Sequence, residues 1–180
     1  LSDCDALIID MRENTGGDPS LIAHICSYFF EKPTLLNKLY YRKTNRTLEF
    51  WTREVNDVRT LYEVPILVLT SSETISASEE FAYDLQSRKR ATVIGEITAG
   101  GANIASGFRL NSSFVIYIPR GGAINPITNK NWEGVGVQPD VSVVSGKALE
   151  KAMEIAKGEA KKYREKKEEN YRLLIRSIEN

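Results

Sequence analysis

Three short apolar runs punctuate the first hundred residues: ALIID at 6–10, PILVLT at 65–70 and ATVIG at 91–95. Each is continuous and bounded by turn residues, the pattern of a buried strand. After the first run, ENTGGDPS at 13–20 is a glycine-bearing loop, and Leu21, Ile25, Tyr28 and Phe29 then recur at helical spacing. That predicts a helix over 20–30, stopped before Pro33. A second helix is predicted over 76–86, so strand, helix and strand follow one another from 65 to 95 and imply a crossover unit. Residues 38–41 and 47–51 alternate in polarity around RKTNR and predict a hairpin. Beyond Gly95 the pattern predicts strands at 107–110 and 113–119, then a polar loop over 121–131. GVGVQPDVSV at 134–143 reads as a sheet edge, because Pro139 cannot donate to a ladder. From 147 the chain is helical, with Leu149, Met153 and Ala156 on one face, a charged stretch at 161–169 that reads as a solvated face, and an apolar stripe of Tyr171, Leu174, Ile175 and Ile178.

The length of 180 residues suits one globular α/β domain, read as a core over 1–156 with a charged helical extension over 157–180. Lys plus Arg and Asp plus Glu both number 24, so no global field recruits nucleic acid. Cys4 and Cys26 form no disulfide framework, and with His24 as the one histidine there is no metal-ligand spacing. No phosphate-loop glycine pattern points to an organic cofactor either. The apolar runs are too short to insert in a membrane. The abrupt start without Met, directly on a strand, reads as a fragment or a processed chain.

The stretch ETISASEEFAYDL at 73–85 places Ser76 and Ser78 where a strand turns into a helix. Ser76 to Glu79 matches a capping box, in which Ser76 accepts from the Glu79 amide and the Glu79 carboxylate returns to the Ser76 amide. The same place, at the positive end of a helix, also suits a nucleophile whose oxyanion is held by free backbone amides. No glycines bracket Ser76 as in a GxSxG elbow. The local pattern leaves both readings open.

Three ordered segments resemble a known family. LIIDMRENTGG at 7–17, TISASEEFAYDLQSRKRATVIGEITAGGAN at 74–103 and WEGVGVQPD at 132–140 are similar to motifs of the tail-specific, or C-terminal-processing, serine proteases. The likeness is to the branch holding the tricorn core protease and the modules of interphotoreceptor retinoid-binding protein, and it extends to about Ala156. It implies a crotonase/Clp protease-like superhelix of strand-strand-helix units, here with a long C-terminal helix. The resemblance assigns the nucleophile to Ser76, with Ser78 a helix-stabilising neighbour, and the oxyanion hole to the amides of Ala77 and Gly17.

A serine needs a base. In the C-terminal-processing branch this is a Lys in the turn after the next strand, and Gly101 stands in its place here. The tricorn branch uses a His from a region N-terminal to the core, together with a Glu ahead of the Gly-Val-x-Pro-Asp segment, and Glu133 matches that Glu. His24, on an apolar helix, reads as structural. The resemblance therefore implies a serine peptidase, or acyl hydrolase, core acting on a peptide or protein, with Ser76 and Glu133 in the site and a base supplied from outside the chain, so that the chain alone hydrolyses little. The alternative is a non-catalytic module for apolar ligands, like the retinoid-binding modules, with aromatics of YYRKTNRTLEFW at 40–51 lining the pocket. Relatives with these motifs are often exported, which implies a periplasmic or secreted location. The C-terminal stripe is expected to cover a missing N-terminal region or a second copy of the chain.

Overall fold

The structure, a computed structural model, describes residues 3–55 and 60–178; the ends of the ranges 1–156 and 157–180 lie outside the described residues. Two four-stranded sheets carry the fold. The first is parallel, in the order β1 (Leu7–Asp10), β4 (Ile66–Thr70), β5 (Ala91–Gly95), β8 (Val141–Ser142). The second is antiparallel, in the order β3 (Arg46–Trp51), β2 (Leu35–Tyr41), β7 (Val115–Ile124), β6 (Asn103–Arg109).

All five residues of β4 are buried, and their side chains divide by parity. Ile66 and Val68 join a core with Phe81 and Leu85 of α2 (Ala77–Ser87) and with Ile22, Ala23 and Cys26 of α1 (Pro19–Cys26). Leu67 and Leu69, with Ile94, face the opposite way onto Ala148, Ala152 and Ala156 of α3 (Ser145–Ile178). A parallel strand covered on both faces has to be apolar at every position, which is why PILVLT is unbroken.

Three expectations change. The helix expected over 20–30 ends at Cys26, and residues 27–29 continue as a turn. The loop expected over 121–131 begins later, because β7 runs on to Ile124 and β6 begins at Asn103. A Cβ on Gly121 would lie 2.0 Å from the Tyr40 carbonyl oxygen and one on Gly122 2.5 Å from Asn103 Oδ1, so these glycines let β7 pass close to β2 and to β6 and do not end it. On α3, the alanines at 148, 152 and 156 meet the sheet, while Leu149 and Met153 are nearly half exposed. Small side chains at i, i+4 spacing let this helix lie close against β4 and β5. The helix is unbroken to Ile178, and beyond the core Arg164 pairs with Asp5 at 3.1 Å and Lys166 with Glu63 at 2.7 Å.

Candidate active site

Ser76 closes the link from β4 to α2 and has φ 65 and ψ −126, a left-handed conformation that is costly for a side chain with a Cβ. What holds it there is Glu79, which is fully buried. Its Oε2 accepts from the amides of Ser76 and Gly101, each at 2.8 Å. Its Oε1 accepts from the Gly100 amide at 2.7 Å and the Thr98 hydroxyl at 2.5 Å. One carboxylate thus ties the start of the helix to the turn at 98–101. The residues of a capping box are in place, yet the Ser76 hydroxyl makes no cap hydrogen bond, and the Glu79 amide donates to the Ser76 carbonyl instead, at 2.9 Å.

Ser78 is used differently. Its buried Oγ lies 2.7 Å from both the Asn14 and Ile75 carbonyl oxygens and accepts from the Ile75 amide at 3.1 Å. The Ile75 amide also lies 3.2 Å from the Asn14 carbonyl. Thr74 and Ser71 add hydroxyl bonds to the Met11 and Arg12 carbonyls, at 2.8 and 2.5 Å. These bonds fasten the loop after β1 along the entry to α2. Gly16, at φ 104, lies so near that a Cβ would come within 2.8 Å of Ser76 Cβ and 3.2 Å of the Ala77 amide nitrogen. Only glycine combines that conformation with that approach.

A cleft of about 280 Å3 opens here, lined by Gly17, Ser76, Ala77 and Glu80 on one side and by Leu39, Tyr41, Ile104 and Ala123 of the antiparallel sheet on the other. Ala77 is the first residue of α2, so its amide is among the donors that the helix itself leaves unpaired. Glu133 does not line the cleft directly. Its Oε2 accepts from the amides of Ala102 and Asn103, at 2.7 and 2.8 Å, and these two residues do line it. The Gly134 amide donates to Gly100 and the Val137 amide to the Thr98 hydroxyl, at 2.8 and 2.7 Å, so the segment around Glu133 clasps the same turn that Glu79 holds.

With this arrangement in view, the match of residues 1–143 to Peptidase family S41 takes its meaning from structure as well as sequence. The chain belongs to that family. Carboxyl-terminal-processing peptidase 1, chloroplastic, of Arabidopsis thaliana is 26% identical over 133 residues, which are 74% of this chain and 26% of that protein. The S41 chain thus spans about a quarter of the length of such relatives. Its fold is shared with the photosystem II D1 C-terminal processing protease, with a TM-score of 0.60 and 23% identity over 78% of this chain and 35% of that one. It is shared too with the tricorn protease, with a TM-score of 0.51 and 18% identity over 89% of this chain and 15% of that one.

Within this S41 chain, Gly101 lines the cleft, and a Cβ there would point at Ile75, 3.0 Å from its Cγ1, and lie 3.7 Å from Glu79 Oε2. His24 is exposed in the last turn of α1, edge-on to Tyr28 at 5.9 Å, and lines a separate hollow with Trp51 and Arg53. No helix among the described residues is long and apolar enough to cross a membrane.

Sequence reasoning missed the reach of Glu79 and the burial of Glu80. The capping pattern pointed to one of the four bonds on Glu79; the other three come from residues 19 to 22 positions away. Glu80 and Asp84, four apart on α2, are both buried, which no reading of the sequence singled out. Burial, followed by the nearby Asp18 and tempered by Asn37, pushes the Glu80 carboxyl up to about 7. Asp84 is driven well above the carboxylate range, chiefly by burial and next by Glu80.

Proposed function

We propose that this chain is the core of a serine peptidase in which Ser76 attacks the scissile carbonyl of a peptide or protein. The observation that carries the reading is the left-handed Ser76 at a helix N-terminus, its hydroxyl free of a cap bond, beside the close-set glycine loop. The amides of Ala77 and Gly17 hold the oxyanion, a role that backbone donors perform without reorganising as charge develops. Ser78 serves structure, since its hydroxyl is engaged with the loop. Glu133 orients the site by fixing the amides of the 102–103 wall. The base comes from outside the chain, because Gly101 carries no ammonium and His24 lies on another hollow. The chain by itself therefore hydrolyses little, since a triad lacking one member retains only a residue of its rate.

The named curated relatives are peptidases, which favours this reading over a carrier of apolar ligands. Their chloroplastic and bacterial setting is consistent with a periplasmic or secreted location for this one. The stripe formed by Tyr171, Leu174, Ile175 and Ile178, exposed on α3 beyond the Lys166–Glu63 ion pair, serves as a docking face for the N-terminal region or for a second copy. The test of the central assignment is a fluorophosphonate probe on the full-length protein. It should label Ser76, with labelling lost in Ser76→Ala and retained in Ser78→Ala; labelling that survives Ser76→Ala removes the assignment.

A further inference from the structure

Behind the reacting serine, the wall of the cleft is acidic in a place where acids rarely stand unaccompanied. Glu80 lines the cleft one residue after Glu79 and is only 3% exposed. Its Oε1 has no hydrogen-bond partner. Asn37 of β2 is close enough to offset part of the rise that burial causes, yet Asn37 Nδ2 also lacks a partner of hydrogen-bonding geometry. One turn along α2, Asp84 accepts from Asn125 at 2.8 Å through Oδ1 while its Oδ2 is unpartnered. Trp132, across the cleft, leaves its indole Nε1–H unpaired as well.

The nearby cations are committed elsewhere. Arg88 reaches Asp84 at 3.9 Å and donates to the Leu35, Leu36 and Asp84 carbonyls; Arg90 donates to the Phe29, Leu61 and Val64 carbonyls. No Lys or Arg lines the cleft among the described residues. A buried carboxylate with an unmet acceptor, in a cleft lined by no cationic side chain, is a receptor for a cationic donor. We infer that the cleft beside Ser76 is the subsite for a basic side chain of the substrate, lysine or arginine, whose ammonium or guanidinium is held by Glu80. This rests on the peptidase reading for its setting, while the binding chemistry belongs to Glu80 alone.

The cation binds the ionised carboxylate, and Glu80 titrates near neutrality, so binding strengthens as the pH rises. The titratable groups around Glu80 are Asp18 at the start of α1, Cys26 at its end and Asp84 on α2. Burial raises Cys26 well above its ordinary thiol value, so it does not supply the expected change near pH 7; Asp84 is also raised by burial, but it does not line the cleft. Asp18, exposed and hydrogen-bonded to Ser20, titrates below its ordinary value.

The test is binding of benzamidine, an amidinium that stays charged near neutrality, to the full-length protein by calorimetry, with neutral benzamide as control. Binding should be at least about tenfold weaker in Glu80→Gln, and it should strengthen about tenfold from pH 6 to pH 8 in the unaltered protein, as the ionised fraction of a group titrating near 7 requires. Ser76→Ala should bind benzamidine as well as the parent, which separates this site from the nucleophile. Equal binding of benzamide, unchanged affinity in a folded Glu80→Gln, or a flat pH profile overturns the subsite even where Ser76 is labelled. The pH series needs no variant, so a Glu80→Gln protein that fails to fold leaves the inference testable. Loss of probe labelling with benzamidine binding intact would overturn the peptidase reading and leave the cation site standing.

Discussion

The two sheets of this chain are built to different standards. In the parallel sheet every side chain of β4 is buried and both faces are covered by helices. In the antiparallel sheet the β6–β7 hairpin holds Phe108, Ile116 and Ile118 more than two-fifths exposed and Tyr117 at 73%. Ser76 and the glycine loop hang from the ends of β4 and β1, while Leu39, Tyr41, Ile104 and Ala123 of the other sheet close the cleft. The proposed nucleophile is thus mounted on the more deeply buried of the two sheets. The opposite wall belongs to a sheet whose far end is open to solvent or to another surface. An arrangement of this kind separates the precision that chemistry needs from the shape that recognition needs.

The joint between the two is Glu79, and breaking it should have the largest effect. Glu79→Ala leaves the Thr98 hydroxyl and three amides without their acceptor in a buried place, at a cost of about 3 to 5 kcal/mol in urea unfolding, with labelling of Ser76 lost. Unchanged stability would mean that the turn at 98–101 is held by the Glu133 segment alone. The next test sets the sheets side by side. Leu67→Ala in β4 should cost about 3 kcal/mol, through lost burial and the cavity left behind. Tyr117→Ala in β7 should change stability by less than about 0.5 kcal/mol, as surface substitutions do. Equal losses would show that the hairpin is covered and that the contrast between the sheets is false.

The smallest effect on stability is expected at the end of α3. A version ending at Lys167 keeps the ion pairs to Asp5 and Glu63 and the packing of Tyr163, so it should fold, with a melting temperature only slightly below that of the whole chain, by what association through the stripe adds. Its mass by light scattering should fall to that of a monomer while the whole chain self-associates through the stripe. Equal monomeric masses would show that the stripe does not join two copies.

How much of this could be read beforehand follows the same division. β4 was legible because a strand buried on both faces is apolar without interruption, and β1 and β5 because each is a short apolar run bounded by turn residues. The hairpin of β2 and β3 was legible from its alternation, and α2 from its cap. The limits of β6 and β7 were not, because the glycines at 121 and 122 carry the same letters in a loop as in a strand that passes close to its neighbour. The inward face of α3 was misassigned for a related reason: alanines packed against a sheet give a weaker apolar signal than the half-exposed Leu149 and Met153. Ser76, Ala77, Gly17 and Glu133 were picked out by resemblance, and the fold brings the first three to one cleft and sets Glu133 on its wall amides. Glu80 escaped notice because its burial depends on Asn37 and the second sheet, contacts that no local pattern encodes.

The measurement that tests the central claim most directly is a crystal structure of the full-length protein after reaction with a fluorophosphonate. The account predicts a phosphorus bonded to Ser76 Oγ, with a phosphoryl oxygen turned inward and accepting from the amides of Ala77 and Gly17 at about 2.7 to 3.1 Å, the range expected of oxyanion donors. An adduct on Ser78, or one on Ser76 whose oxygens all face away from both amides, would contradict it.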